Sequence, residues 1–309
     1  MTMRFGLQLW SQSTSWTGFR DAALRAESAG WDSIWTWDHL LAIFGPWEQP
    51  ILEGWTAMAG LAPLTSRVRL GLMVGANTFR QPGLTAKLAT TLDHVSDGRA
   101  VLGIGAAWFE REHEAFGLDF GSSPGERLDR LDESVAIMRR LLDGERVTHD
   151  GPVYRLRDAV CLPRPVQPRL PILIGGSGRQ KTLRIVAERA DAWNASTTPD
   201  ELRELLDVLG GHAERAGRDL STLEITASFP IVIDDDPAAA RSRLQAAMAA
   251  NGTTSLGSGP QLFGSPEAIA EALRPYRDLG VSTVIVRMPA PYDEQTIDRI
   301  GEVVAALGS

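Results

Sequence analysis

The feature that most constrains this chain is an alternation of short apolar runs and longer amphipathic stretches, kept up from end to end. Such alternation marks βα units, in which parallel strands are joined by helices that pack across them. The strand segments read as Arg4–Leu9, Ser33–Trp37, Val68–Val74, Ala100–Gly105, Pro171–Ile174, Asp191–Ala195, Glu224–Ile233 and Val281–Met288. Helical patterns lie between and after them, at Thr17–Ala29, Glu53–Leu64, Pro82–Val95, Gly125–Leu142, Gln180–Arg189, Pro199–Ala216, Pro237–Ala250, Pro266–Leu279 and Asp293–Leu307. Gly30 stands where the first helix should stop, and prolines 163, 165, 168 and 171 mark an excursion that is neither helix interior nor central strand.

Eight strands with helices between them and no break in composition predict an α/β fold, a single (β/α)8 TIM barrel domain over residues 1–309 with insertions at its strand ends. The length of 309 residues fits, since barrels run to ~250 residues before insertions. A doubly wound open sheet is the alternative. It would bring a glycine-rich turn directly after the first strand, and Leu7-Gln8-Leu9-Trp10-Ser11 is not one.

Charge and cysteine content exclude whole classes of function. A net charge of −8 with scattered Lys and Arg argues against nucleic acid as a partner, because phosphates must be neutralised by clustered cations. Cys161 is the one cysteine, so neither an intramolecular disulfide nor a two-cysteine metal motif is available, and no metal site is expected. Met1 leads straight into a strand, without a basic segment followed by an apolar one. No apolar stretch approaches the ~20 residues needed to span a bilayer. The expectation is a cytoplasmic protein acting on a small molecule, with no membrane partner.

In a barrel, chemistry sits at the C-terminal ends of the strands. The second strand ends in Asp38-His39, where His39 suits a proton carrier or hydrogen-bond donor beside a bound ring and Asp38 suits orienting it or touching a cofactor. The competing reading is a turn cap with a packed histidine. The third strand ends in Met73-Val74-Gly75-Ala76-Asn77-Thr78, an apolar platform with a polar rim, or a plain loop in which Asn77 and Thr78 satisfy backbone groups. The fourth strand ends in Gly103-Ile104-Gly105-Ala106-Ala107-Trp108, small residues that let a ligand come close, with Trp108 a wall or a packing residue. After the fifth strand, Gly175-Gly176-Ser177-Gly178 runs into a helix start, a turn suited to an anion such as phosphate.

Other features invite less. Nine tryptophans against three tyrosines, six of them before residue 51, are core or the walls of a pocket for a flat ring. His94 reads as structural, His113 and Glu112 as part of a solvated helical face, and His149 and His212 as surface residues. There is no Gly-x-Ser-x-Gly, Walker loop or catalytic cysteine setting.

Taken together these stretches resemble the luciferase-like monooxygenase superfamily, in its coenzyme F420-dependent oxidoreductase branch. The resemblance rests on Trp35-Thr36-Trp37-Asp38-His39, Arg69-Leu70-Gly71, Asn77-Thr78-Phe79-Arg80, Leu92-Asp93 with Ser96-Asp97-Gly98-Arg99, Gly103-Ile104-Gly105 with Trp108, Glu112 and Phe116-Gly117, and Pro171 to Gly178. The last third matches in pattern only, through Phe263-Gly264-Ser265-Pro266-Glu267 and the eighth strand. It implies a barrel of the bacterial luciferase-like type, with a backbone bulge and a non-proline cis peptide near Met73-Val74. It further implies a cofactor over the strand ends, on Asp38, Met73, Val74, Asn77, Gly105 and Trp108, with its phosphate on Gly175, Gly176, Ser177 and Gly178. Catalysis would fall to His39 and Asp38. The cofactor would be F420, with FMN the alternative, and the assembly a homodimer.

One departure bears on substrate. The sugar-phosphate dehydrogenases of this branch carry a glutamate where this chain has Trp108, and a lysine where it has Ser196-Thr197-Thr198-Pro199. The expected reaction is hydride transfer between the deazaflavin and a small hydrophobic organic molecule. The alternatives are an FMN-dependent monooxygenase using reduced flavin and oxygen, and a flavin or deazaflavin carrier without turnover. Leu40–Leu52 and Gly252–Leu262 are candidate lids.

Overall fold

The computed structural model describes residues 3–256 and 259–308. In chain order its elements are β1 (Arg4–Leu9), α1 (Trp16–Ala29), β2 (Ser33–Thr36), α2 (Gly54–Leu61), β3 (Arg69–Leu72), β4 (Gly75–Ala76), α3 (Pro82–Val95), β5 (Ala100–Gly105), α4 (Glu110–Phe116), α5 (Pro124–Leu142), β6 (Val147–Asp150), β7 (Arg155–Ala159), β8 (Ile172–Gly175), α6 (Thr182–Arg189), β9 (Ala192–Ala195), α7 (Pro199–Ala216), β10 (Glu224–Phe229), β11 (Ile231–Ile233), α8 (Pro237–Ala250), β12 (Leu262–Gly264), α9 (Pro266–Asp278), β13 (Val281–Met288) and α10 (Glu294–Gly308). Strands β3, β2, β1, β13, β10, β9, β8 and β5 pair in that order, and β3 pairs back onto β5, which closes the ring. Every pairing in the ring is parallel. The fold is the expected (β/α)8 barrel. Among the described residues no helix is long and apolar enough to cross a membrane.

The barrel interior is plugged by side chains. Trp35 of β2 points inward with Val101, Leu173, Ala192 and Ile285, and its indole N–H donates to Ser33 Oγ at 2.8 Å. An indole buries roughly 200 Å2, worth about 5 kcal/mol of transfer free energy. The flanking strands make room for it. A Cβ at Gly6 would lie 2.8 Å from Trp35 Nε1, and one at Gly71 would lie 2.8 Å from Trp35 Cζ3.

Above the plug, β3 stops at Leu72, the Met73–Val74 peptide is cis, and pairing with β5 resumes at Gly75. The bulge is held by buried groups: Gln8 Nε2 donates to Met73 O at 2.7 Å, and Met73 N to Thr36 O at 2.8 Å. It throws the Val74 side chain over the strand ends of β5 and β8. A Cβ at Gly105 would stand 2.8 Å from Val74 Cγ2, and one at Gly175 would stand 3.1 Å from Val74 Cγ1. The small residues there serve this packing; they make room for an isopropyl group at the floor of the mouth.

Two sequence expectations are corrected and one further element is added. The third strand was placed through Val74 but gives way to the bulge after Leu72. The seventh was read as one run, Glu224–Ile233. It breaks at Pro230, which has no N–H to give a neighbour, and β11 leaves the barrel to pair with β12. The proline-rich excursion begins with an antiparallel hairpin, β6 on β7, that no expectation covered.

At Gly103 a Cβ would fall 1.8 Å from the carbonyl oxygen of Leu72, a backbone atom that cannot move without opening the ring. Gly103→Ala is expected to lower unfolding free energy by more than ~3 kcal/mol in urea titrations. Gly301→Ala, in open space on α10, is the control and should be neutral or raise stability by up to ~1 kcal/mol. Equal behaviour of the two variants would contradict this account of ring closure.

Candidate active site

The C-terminal ends of the strands open into a cavity of about 750 Å3. Its walls are aromatic: Trp10 packs on Phe44 at 4.6 Å and on Trp37 at 4.5 Å, and Trp108, 62% exposed, stands at the edge. Val74 and Met73 line it from the bulge, and Gln8, Asn194 and Ser228 add polar groups. Asn194 is fixed from both sides, donating to Thr226 Oγ1 and accepting from Ser228 Oγ.

Asp38 and His39 are adjacent in sequence but answer to different partners. Asp38 is 3% exposed and accepts two bonds from Arg80, at 2.6 and 2.9 Å, and one from Ala76 N at 2.9 Å. Burial pushes its carboxyl upward, against the pull of the Arg80 guanidinium and the Ala76 amide. Arg80 also donates to Glu53, whose carboxylate caps α2 through Trp55 N and Thr56 N. Burial would raise Glu53, yet the Thr56 donors and Arg80 outweigh it and hold the carboxyl below the ordinary range.

His39 is held instead by Glu112. Its Nδ1 lies 3.0 and 3.2 Å from the two carboxylate oxygens, and Leu40 N donates to the same group at 2.9 Å. A carboxylate only accepts, so Nδ1 carries the hydrogen and Nε2 is the nitrogen left toward the cavity. Trp37, Trp108 and Phe109 meet the imidazole edge-on. The geometry therefore gives the orienting carboxylate as Glu112, and Asp38 does not fill that place.

Of the residues named from sequence, Asp38, His39, Met73, Val74, Gly105, Trp108, Gly175 and Gly176 line the cavity. Three do not. Asn77 is buried with its amide turned to Tyr154 Oη at 3.1 Å, tying the β6–β7 hairpin to the loop after β4. Ser177 and Gly178 stand outside the lining, and Thr182 of α6 takes their place beside Gly176. Ser177 does not cap α6, which begins five residues later. Trp35, Trp31 and Trp193 are core, so only part of the tryptophan cluster faces the cavity.

Glu112 and His113 are not on a solvated face. Both are buried, and His113 is satisfied at both nitrogens, by Phe109 O at 2.8 Å and Thr78 Oγ1 at 2.6 Å. The available signal was spacing: Glu112 and His113 follow Phe109 by three and four residues, the positions that share its side of a helix. Arg127, also at the cavity, carried no comparable signal, whereas Arg287 stands at the C-terminal end of the eighth strand and was passed over. Burial lowers the Arg287 guanidinium to about 10.

The family model described as luciferase-like monooxygenase matches residues 2–257. The chain belongs to the luciferase-like monooxygenase family. An F420-dependent glucose-6-phosphate dehydrogenase of Nakamurella multipartita is 30% identical over 98% of both chains. An uncharacterised protein of Mycobacterium tuberculosis is 33% identical over 54% of this chain, a match that spans only 58% of that relative's length. Among solved structures, an F420-dependent secondary alcohol dehydrogenase in complex with an F420–acetone adduct superimposes with a TM-score of 0.87 over 99% of each chain. At 20% identity that likeness is one of fold. In luciferase-like terms the aromatic mouth, the cis bulge and the glycines after β8 all stand at one end of one barrel.

Removing Arg80 would leave Asp38 buried with one amide for company. Arg80→Ala is expected to cost ~3–5 kcal/mol of stability, and Arg80→Lys, which cannot make the two-pronged contact, an intermediate amount. Chemical denaturation monitored by tryptophan fluorescence measures both. A loss below ~1 kcal/mol for Arg80→Ala would show that the pair does not hold this end of the barrel.

Proposed function

We propose that this chain is an oxidoreductase that transfers a hydride between coenzyme F420 and a small, hydrophobic organic substrate. The observation that carries the reading is the placement of His39, oriented through Nδ1 by Glu112 with its other nitrogen toward a cavity large enough for a ring system and a second molecule. The residues fit such a cofactor. Val74 offers an apolar floor, Gly105 and Gly175 keep that floor level, and Gly176 adopts φ +123, a conformation that leaves no side chain over the turn. The relatives named as F420-dependent dehydrogenases support the choice of deazaflavin over flavin.

When bound, the deazaflavin supplies the hydride chemistry; the protein supplies placement, exclusion of water and, at His39 Nε2, a lone pair that can take up a proton and return it. Glu112 keeps the imidazole in one tautomer and one orientation. Asp38 contributes indirectly, by fixing the Ala76 amide and the backbone that carries Val74. The substrate side of the cavity is walled by Trp10, Trp37, Phe44 and Leu256. After β9, the buried Thr197 donates its hydroxyl to Glu201 and accepts from Tyr276 Oη at its carbonyl, and it offers no cation to a phosphate. Both features favour an apolar molecule over a sugar phosphate. From the same family likeness we propose that residues 1–309 act as one barrel domain and as a homodimer, which a single unfolding transition and light scattering would test.

Titration of the apoprotein with F420 and, separately, with FMN tests the cofactor. Micromolar or tighter binding of F420, with FMN weaker by ~10-fold or more, is the expected result. The reverse order would transfer the reading to an FMN-dependent monooxygenase, and binding of neither would remove it. His39→Ala is expected to lower kcat by ~100-fold or more while changing F420 affinity less than ~3-fold, with Glu112→Gln intermediate. Turnover unaffected by both variants would exclude the His39 role.

A further inference from the structure

A second cavity, of about 380 Å3, backs onto the first. Its walls are Ile231 and Val232 of β11, Leu244 and Ala247 of α8, and Met288 and Pro289 where β13 ends. Ile231, Val232, Leu244 and Met288 are buried side chains. The polar residues at its rim are engaged within the protein. Arg243 pairs with Asp234 and Asp293 and donates to Ile233 O, and Gln295 donates to Ile233 O and Asp234. Tyr292 donates to Trp10 O at 2.6 Å, and Glu294 pairs with Arg25. The volume falls in the range of ~300–1,000 Å3 that small-molecule sites occupy. Such a lining offers a guest hydrocarbon contact and little to orient it.

Three observations join this space to the catalytic cavity. Arg287 lines both. Ile285 of the same strand belongs to the barrel plug, so Arg287, two residues on, faces the mouth, where its Nη1 reaches Leu256 O at 3.4 Å. The Tyr292–Trp10 bond links a residue of the second cavity to a wall of the first. Val232 and Leu244 belong to the same apolar cluster as Trp10, Trp37 and Leu256. At Arg287 the partition is one side chain thick, and that side chain is long and flexible. Orienting groups, scarce in the second cavity, converge in the first: His39, Gln8, Asn194 and Ser228 all line it.

We propose that the second cavity is an annex of the active site, which takes the hydrocarbon arm of the substrate past Arg287 while the head of the same molecule meets His39. The proposal rests on the reading of the first cavity as the reaction site. It narrows the substrate to an amphiphile with a small uncharged head and an apolar arm of medium length. His39 Nε2 presents a lone pair, so a head that offers a hydroxyl hydrogen suits it. Each methylene that enters such apolar space adds about four-fold in affinity.

The test measures Kd by calorimetry for 2-butanol, 2-hexanol, 2-octanol and 2-decanol, on the F420-loaded protein and on the apoprotein. Wild type is compared with Ala247→Phe, which fills the annex, and with Ala249→Phe, the same change at an exposed position of α8 outside it. The Tm of each variant and its Kd for F420 report on the fold. Wild-type affinity should rise about four-fold per methylene up to 2-octanol. Ala247→Phe should weaken 2-octanol and 2-decanol by ten-fold or more and 2-butanol by less than two-fold, while Ala249→Phe changes neither. Equal losses along the series, no loss at all, or a wild-type affinity that does not grow with chain length would overturn the proposal. A measurement on the wild type alone decides the matter if Ala247→Phe misfolds. In crystals soaked with 8-bromo-2-octanol, the anomalous peak of bromine should fall between α8 and the start of α10. A peak confined to the first cavity, or no peak, would overturn the annex. If F420 fails to bind while the apoprotein shows the chain-length gain and its loss in Ala247→Phe, the deazaflavin reading falls and the annex stands. F420 binding without that pattern would overturn the annex and leave the deazaflavin reading in place.

Discussion

A carboxylate shut away from water, Asp38 at the end of β2, organises the mouth of this barrel. Its charge is tolerable because Arg80 reaches it with two parallel bonds and Ala76 with a third. Each of those bonds spans a junction: β2 to β4, β2 to the loop before α3, and, through Glu53, the loop to the start of α2. The bulge that carries Val74 lies between the residues so fixed. An apolar floor is thus positioned by a polar network beneath its rim, and a cofactor ring laid on Val74 would inherit the rigidity of that network.

His39 is kept apart from this arrangement although it follows Asp38 directly. Two carboxylates near one imidazole would compete for it and repel each other; here Asp38 is saturated by Arg80, and Glu112 alone takes Nδ1. Glu112 also accepts from Leu40 N, so the loop leaving β2 and the helix α4 are joined at the histidine itself. A shift of α4 would be felt as a rotation of the ring.

Much of this was legible in the sequence, and the reasons for the remainder are physical. Strands β5 and β13 and helices α3, α7 and α8 fall where period and capping place them, because their own side chains decide them. Asp38, His39, Val74, Gly105 and Gly176 line the cavity, as residues at the strand ends of a barrel are expected to. Glu112 and Arg127 also line the cavity but were not named for it, because α4 and α5 reach the mouth through tertiary packing; Arg287, the penultimate residue of β13, stood at a strand end and was passed over. Asn77, Ser177 and Gly178 stand outside the cavity lining for the complementary reason: proximity in sequence to a strand end does not say which way an amide or hydroxyl turns. The glycines at 103, 105 and 175 were located correctly and explained differently, since what they accommodate is Leu72 and Val74.

The two segments read as lids are not independent flaps. Gln12 donates to Phe44 O and accepts from Ile43 N, fixing the loop after β2, and it also reaches Asn251 at the end of α8. Gln49 bridges the same two regions, donating to Phe44 O and to Asn251 O, and Asn251 in turn donates to Ala290 O. Gly45 and Gly252 stand back to back, with a Cβ at Gly45 only 2.4 Å from Asn251 O. Gly257 and Ser258 of the second segment lie outside the described residues, but Leu256 before them is buried and lines the cavity. Phe44 and Leu256 belong to one apolar cluster that walls the cavity. Parting the loop after β2 from the end of α8 would break the Gln12–Asn251 and Gln49–Asn251 bonds together, so the two segments share one set of contacts.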